Sequence, residues 1–157
     1  RVVPKPREVI FFYITAIAKA KDHDHIRVEE QDVLEADKEY SYHAYRTLLT
    51  ELQSEIDDIE SLIIEFAGCE AVFDIETLYK FARASQTDDS DVPRIVELLI
   101  QASFLGQEKE PNRFEFNYDE RQSRVTNRRA SRLTEATGKQ RFKIANPFHA
   151  YLEIIDK

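Results

Sequence analysis

The sequence predicts a mainly α-helical protein with a small β-wing near its C-terminal end, an α+β class. Three observations lead there. Glycine is scarce, with three in 157 residues, while charged residues make up 33%, a balance that suits helices better than a sandwich or barrel. Apolar residues recur at 3–4 spacing through most of the chain. Two short segments late in the chain instead alternate polar with apolar side chains. A hydrophobic fraction of 42%, with ten Phe and seven Tyr, is enough for an ordered core.

Pro4 and Pro6 give an extended entry, and residues 7–21 follow as a helix apolar nearly all round, expected to be central and covered on several sides. Asp22, His23, Asp24 and His25 break it. A long helix over 29–55 carries Leu34, Tyr42, Tyr45, Leu48, Leu49 and Leu52 on its apolar face. Ile59, Leu62, Ile63 and Phe66 form the stripe of the next helix, with Gly68 as its stop. Ala71, Val72 and Phe73 make a short strand. Asp74 caps a helix with the stripe Ile75, Leu78, Tyr79 and Ala82. Asp91 and Pro93 open another, with Ile95, Val96, Leu98, Leu99 and Ala102, ended by Gly106. Residues 113–118 and 141–144 are the alternating strands, expected to pair with each other. The polar, basic stretch between them is too long for a tight hairpin and is expected to be a mobile loop. Asn146 and Pro147 open a last helix with Phe148, Tyr151, Leu152 and Ile155 on one face. From Ile59 onward the order is helix, strand, helix, helix, strand, strand, helix. That is the element order of a winged helix. The chain thus divides into a helical segment over 1–55 and a winged-helix-like domain over 56–157.

Several functions are excluded by what the sequence lacks. Gly68, Gly106 and Gly138 stand far apart, so no glycine-rich turn exists to cradle a phosphate or form a nucleophile elbow. Cys69 is the single cysteine, which rules out an intramolecular disulfide and fits a cytoplasmic setting. The most apolar run, residues 9–20, is too short for a membrane span. A chain that has no methionine and begins at Arg1 is expected to be a piece of a longer protein. The expectation is a chain that is not an enzyme by itself and uses no cofactor.

Charge singles out one segment. Residues 119–143 hold eight bases against three acids, a surplus of five, so the rest of the chain carries −13 of a net −8. Arg121, Arg124, Arg128, Arg129, Arg132, Lys139 and Arg141 are the candidate nucleic-acid or anion-binding residues. Guanidinium forks match phosphate oxygens, and the interspersed Ser, Thr, Asn and Gln add hydrogen bonds. The same loop also fits a solvated segment that pairs with acidic protein surface, and the sequence leaves both open. The helix beginning near Asp91 presents Arg94, Glu97 and Gln101 beside Asp88, Asp89 and Asp91. That face repels phosphates, so base reading in a major groove is disfavoured.

His23 and His25 flank Asp24, and imidazole with carboxylate suits zinc. The cluster lacks a further ligand set in its loop, so it is read as a solvated interhelical turn, and no metal is assigned. His43 and His149 are read as packing or surface groups, Cys69 as a small buried thiol, and Tyr42 with Tyr45 as core residues.

Lys5-Pro6-Arg7-Glu8-Val9-Ile10 resembles the segment that opens a lid helix after the nucleotide-binding core of bacterial AAA-like and STAND-like P-loop ATPases. Residues 28–51, with Tyr40-Ser41-Tyr42-His43-Ala44-Tyr45-Arg46, resemble the region after that helix. Phe142-Lys143-Ile144-Ala145-Asn146-Pro147-Phe148 is similar to the end of their C-terminal winged-helix domains. The first family position is Lys5 here rather than Arg. The resemblance implies that 1–55 is a lid-like segment and that Arg7 senses nucleotide phosphate, aided by the helix dipole. It also implies an ATPase core upstream as partner and a regulatory role coupling nucleotide state to partner or nucleic-acid binding. For Arg7 itself, a first-turn surface charge fits equally well. The alternatives are a DNA-binding winged-helix module of a transcription regulator and a pure protein-interaction domain.

Overall fold

In a computed structural model, residues 6–116, 131, 134 and 138–156 are described. Two helices, α1 (Pro6–Asp22) and α2 (Glu30–Leu52), lead into α3 (Ile59–Ile64), β1 (Val72–Asp74), α4 (Ile75–Ala84) and α5 (Val92–Gln101). Then come β2 (Leu105–Glu110), β3 (Arg113–Glu115), β4 (Arg141–Ile144), a 3-10 turn (Asn146–Phe148) and α6 (His149–Leu152). The strands form one antiparallel sheet in the order β1-β4-β2-β3. The class is mixed helix and small sheet, as the sequence predicts.

Several sequence expectations need correction; Gly106, expected to end a helix, lies inside β2. Arg113–Glu115 do not pair with Arg141–Ile144. β4 lies between β1, where Phe142 faces Phe73, and β2, where Leu105 faces Ile144, while β3 pairs on the far side of β2. The missing strand is β2, whose Leu-Gly-Gln-Glu-Lys-Glu carries no apolar alternation. Another correction concerns α1, which packs along α2 and buries Ala16 and Ala20. Its Ile10, Tyr13, Ile14 and Ile17 are exposed at i, i+3, i+4 and i+7, so the all-round apolar pattern does not make it central.

Phe66, Phe104, Phe142, Leu62, Ile63, Leu78, Leu99, Leu105 and Ile144 are fully buried at the centre of the core. Aromatic rings link its layers. Phe104 stands edge-on to Phe66 at 5.2 Å and to Phe148 at 4.8 Å, a geometry ring quadrupoles favour. The same cluster takes in Tyr45, Leu48 and Leu52 from the second half of α2. The Ser41 hydroxyl, also buried, accepts the Tyr151 N–H at 2.8 Å, tying α2 to α6. Tyr45 is core, whereas Tyr42 is 44% exposed. α6 stops at Leu152, and Ile155 forms a bridge with Glu70 instead of extending the helical face.

Local signals behave as their chemistry dictates. Asp74 caps α4 by accepting the Thr77 N–H at 3.0 Å and the Thr77 hydroxyl at 2.9 Å. Gly68 follows α3 with φ of 71°, a left-handed conformation that glycine adopts without strain. At Gly106 a Cβ would meet the Phe116 ring at 2.7 Å, so any larger side chain there has to push that ring aside. No helix among the described residues is long and apolar enough to cross a membrane.

Candidate functional site: the β2–β4 sheet and the interhelical turn

The sequence-nominated basic residues Arg121, Arg124, Arg128, Arg129 and Arg132 lie outside the described residues, as do residues 117 and 118 of the expected strand. Arg7 falls in the first turn of α1, and its side chain is likewise outside the description. Lys139 precedes β4, and Arg141 opens it.

Arg141 is built into the sheet where β4 meets β2 and the β2–β3 turn. Its Nη1 donates to Glu108 Oε1 at 3.1 Å and to Asn112 Oδ1 at 3.3 Å, and the guanidinium lies 5.9 Å from the centre of the Phe114 ring. Glu108 is buried and also accepts the Asn112 N–H at 2.7 Å. One carboxylate thus ties the β2–β3 turn to β4. Beside it, the register of β2 against β3 shifts between Glu108 and Glu110. Lys109, at that irregularity, is buried and donates to Gln107 Oε1 at 2.6 Å. Burial lowers its ammonium pKa to about 8, against an opposing pull from Glu115. Sequence reasoning missed Lys109 because lysine in a polar run reads as solvated.

α5 presents Arg94, Glu97 and Gln101 outward. Arg94 is engaged by Glu55 at 2.8 Å, and Arg83 holds Asp89 at 2.6 Å. A cleft of about 610 Å³ between α3, the α4–α5 loop and α5 is lined by Glu55, Asp57, Asp58, Glu65, Asp88 and Asp91, with Arg94. A surface of this sign repels a phosphate backbone.

The turn between α1 and α2 differs from its sequence reading. Asp32, in the first turn of α2, is fully buried. Its Oδ1 meets His23 Nδ1 at 2.6 Å, and its Oδ2 meets His25 Nδ1 at 2.9 Å. Oδ2 also accepts the Glu29 N–H at 2.8 Å, the backward half of a capping box. The two histidines are therefore not a solvated turn. They close the hairpin over one buried carboxylate. Burial pushes the Asp32 carboxyl up, but the Glu29 N–H and the two imidazoles outweigh it and bring it down to about 2. The Asp32 hydrogen bond raises the His25 pKa, against desolvation and with help from the Asp32, Glu29 and Asp24 charges. The signal for Asp32 was present in sequence as an acid three residues after Glu29, at the capping-box spacing.

The remaining candidates are accounted for by packing. His43 stacks on Phe11 at 4.9 Å, and His149 Nε2 lies 3.0 Å from the Ile144 carbonyl. Cys69 is half-buried, and burial pushes its thiol up to about 11.

Residues 1–49 match the model of the FunZ-associated C-terminal helical domain. That span covers α1 and nearly all of α2, and so includes the histidine turn. No curated protein matches the chain. No solved structure matches it.

Proposed function

We propose that this chain is the regulatory, non-catalytic C-terminal region of a bacterial P-loop ATPase, coupling nucleotide state to partner or nucleic-acid binding. In this reading the α1–α2 hairpin is the lid-like segment and the rest is a winged helix. The observation that carries it is the arrangement β1-β4-β2 beside α3, α4 and α5. A winged helix closes three helices with a short first strand laid against a two-stranded wing. In this reading the wing pair is β2 with β4, and β3 widens it. The match of residues 1–49 to a C-terminal helical domain supports a region that accompanies another domain. The exposed Ile10, Tyr13, Ile14 and Ile17 stripe of α1 supports an apposed protein surface, which this reading assigns to the ATPase core. Arg7, in the first turn of the same helix, is the residue this reading assigns to sensing nucleotide phosphate.

Nucleic-acid contact falls to the wing loop, because the α5 face is acidic. Fluorescence anisotropy of the full chain with duplex DNA at low and rising salt tests this. Binding weakens with salt, is indifferent to base sequence, and drops about tenfold at low salt in Arg128→Ala plus Arg129→Ala. Absence of binding at low salt removes nucleic acid from the proposal and leaves protein as the partner.

A further inference from the structure

We propose that His23, His25 and Asp32 form a binding site for a divalent transition-metal ion of the zinc type, with Glu35 and Glu29 orienting the two imidazoles. One potential ligand atom from each of the three residues lies within 4.8 Å of the others. Two imidazoles and a carboxylate are a donor set suited to zinc, with a fourth position left to solvent.

The position of the second ring nitrogens adds an independent observation. A metal-bound histidine donates its other N–H to a carboxylate, which fixes the tautomer and ring orientation. His23 Nε2 lies 3.6 Å from Glu35 Oε1, and His25 Nε2 lies 3.9 Å from Glu29 Oε2. Both separations are too long for hydrogen bonds while Nδ1 is engaged by Asp32. When a metal takes Nδ1, each neutral ring carries its proton on Nε2, and these two carboxylates stand ready to accept the Nε2–H hydrogen bond. Each histidine thus has its own outer carboxylate, and the two share the inner one.

The elements around the site divide the work. Asp32 is fixed in the first turn of α2 and fully buried, while the histidine side chains keep 30% and 25% of their exposure. Ligand atoms around a tetrahedral zinc sit about 3.3 Å apart, given arms of roughly 2.0 Å. The rings stand at 2.6 and 2.9 Å from the carboxylate oxygens, so the two half-buried rings swing outward from a fixed Asp32 to admit the ion at that spacing. The local charge favours a cation: Asp24, Glu29 and Glu35 flank the cluster, and Lys19 on α1 is already held by Glu39 at 3.0 Å.

Isothermal calorimetry of the full chain with zinc(II) tests the proposal, with cobalt(II) absorption as a second readout. One ion binds per chain. His23→Ala and His25→Ala each weaken binding about 100-fold, and Glu35→Gln weakens it about tenfold. Cys69→Ser changes nothing, and the cobalt spectrum shows no thiolate charge-transfer band. Circular dichroism separates loss of a ligand from loss of the hairpin, and the histidine variants keep their helix content. The proposal is overturned if zinc does not saturate a site, if the double histidine variant keeps wild-type affinity, or if the thiolate band appears.

Discussion

The α1–α2 hairpin and the α/β body that follows it are held together by different physics. The body buries phenylalanines from β1, β4, the 3-10 turn and the connections after α3 and before β2 against one another, with Phe66, Phe104 and Phe142 wholly removed from water. The first half of the hairpin buries little beyond Ala16, Ala20 and Ala36, and leaves the outer stripe of α1 exposed. Its closure rests on a polar knot, in which one buried carboxylate is bonded to two imidazoles and a backbone N–H. Apolar cores are non-directional and distribute their stabilisation over many contacts. A polar knot is directional, so removal of a single atom pair leaves the rest unsatisfied. The chain thus has one region that fails as a whole and one that can open locally.

The largest effect is expected in the body. Phe104→Ala removes a buried ring that touches both Phe66 and Phe148, at a cost of about 3–5 kcal/mol. Urea denaturation followed by far-UV circular dichroism measures it, and the loss appears as one cooperative shift. Next comes the knot. Asp32→Ala strips partners from His23, His25 and the Glu29 N–H together. Native-state hydrogen exchange is expected to show roughly tenfold or faster exchange in α1 and the first half of α2, with the sheet unchanged. Equal acceleration in β2 and β4 would mean that the two regions form one cooperative unit and would erase the distinction drawn here.

This contrast also explains what the sequence reveals. Periodicity reports apolar faces, so α1, α2, α4 and α5 are visible in it, as are the Gly68 stop and the Asp74 cap. It cannot tell whether an apolar face meets protein or water, which is why α1 reads as central although Ile14 is 63% exposed. β2 is invisible because its buried side chains include Glu108 and Lys109. Their hydrogen-bond partners are Arg141, on another strand, Asn112, on a turn, and Gln107, two residues away. Asp32 is missed for the same reason, since an acid in the first turn of a helix ordinarily faces solvent. Of the nominated site residues, Arg141 turns out to be paired across the sheet, a tertiary fact that no spacing encodes.

The smallest effect sharpens the comparison by placing a polar contact inside the apolar region. Asp74 caps α4 much as Asp32 serves α2, but it holds only Thr77 and is partly exposed. Asp74→Ala is expected to cost about 1 kcal/mol at neutral pH, measured by urea denaturation. The Thr77 N–H, then its hydroxyl, hold the Asp74 carboxyl below the ordinary carboxylate range. A group with a folded pKa below its unfolded value stabilises the protein above the unfolded pKa, near 4. That contribution fades as pH falls through the folded value. Wild type and variant should therefore differ most above about pH 5 and converge in acid. A difference that persists unchanged at acid pH would show that the charged carboxylate is not the source of the cap's effect. The body would then owe that increment to packing, as it owes the rest.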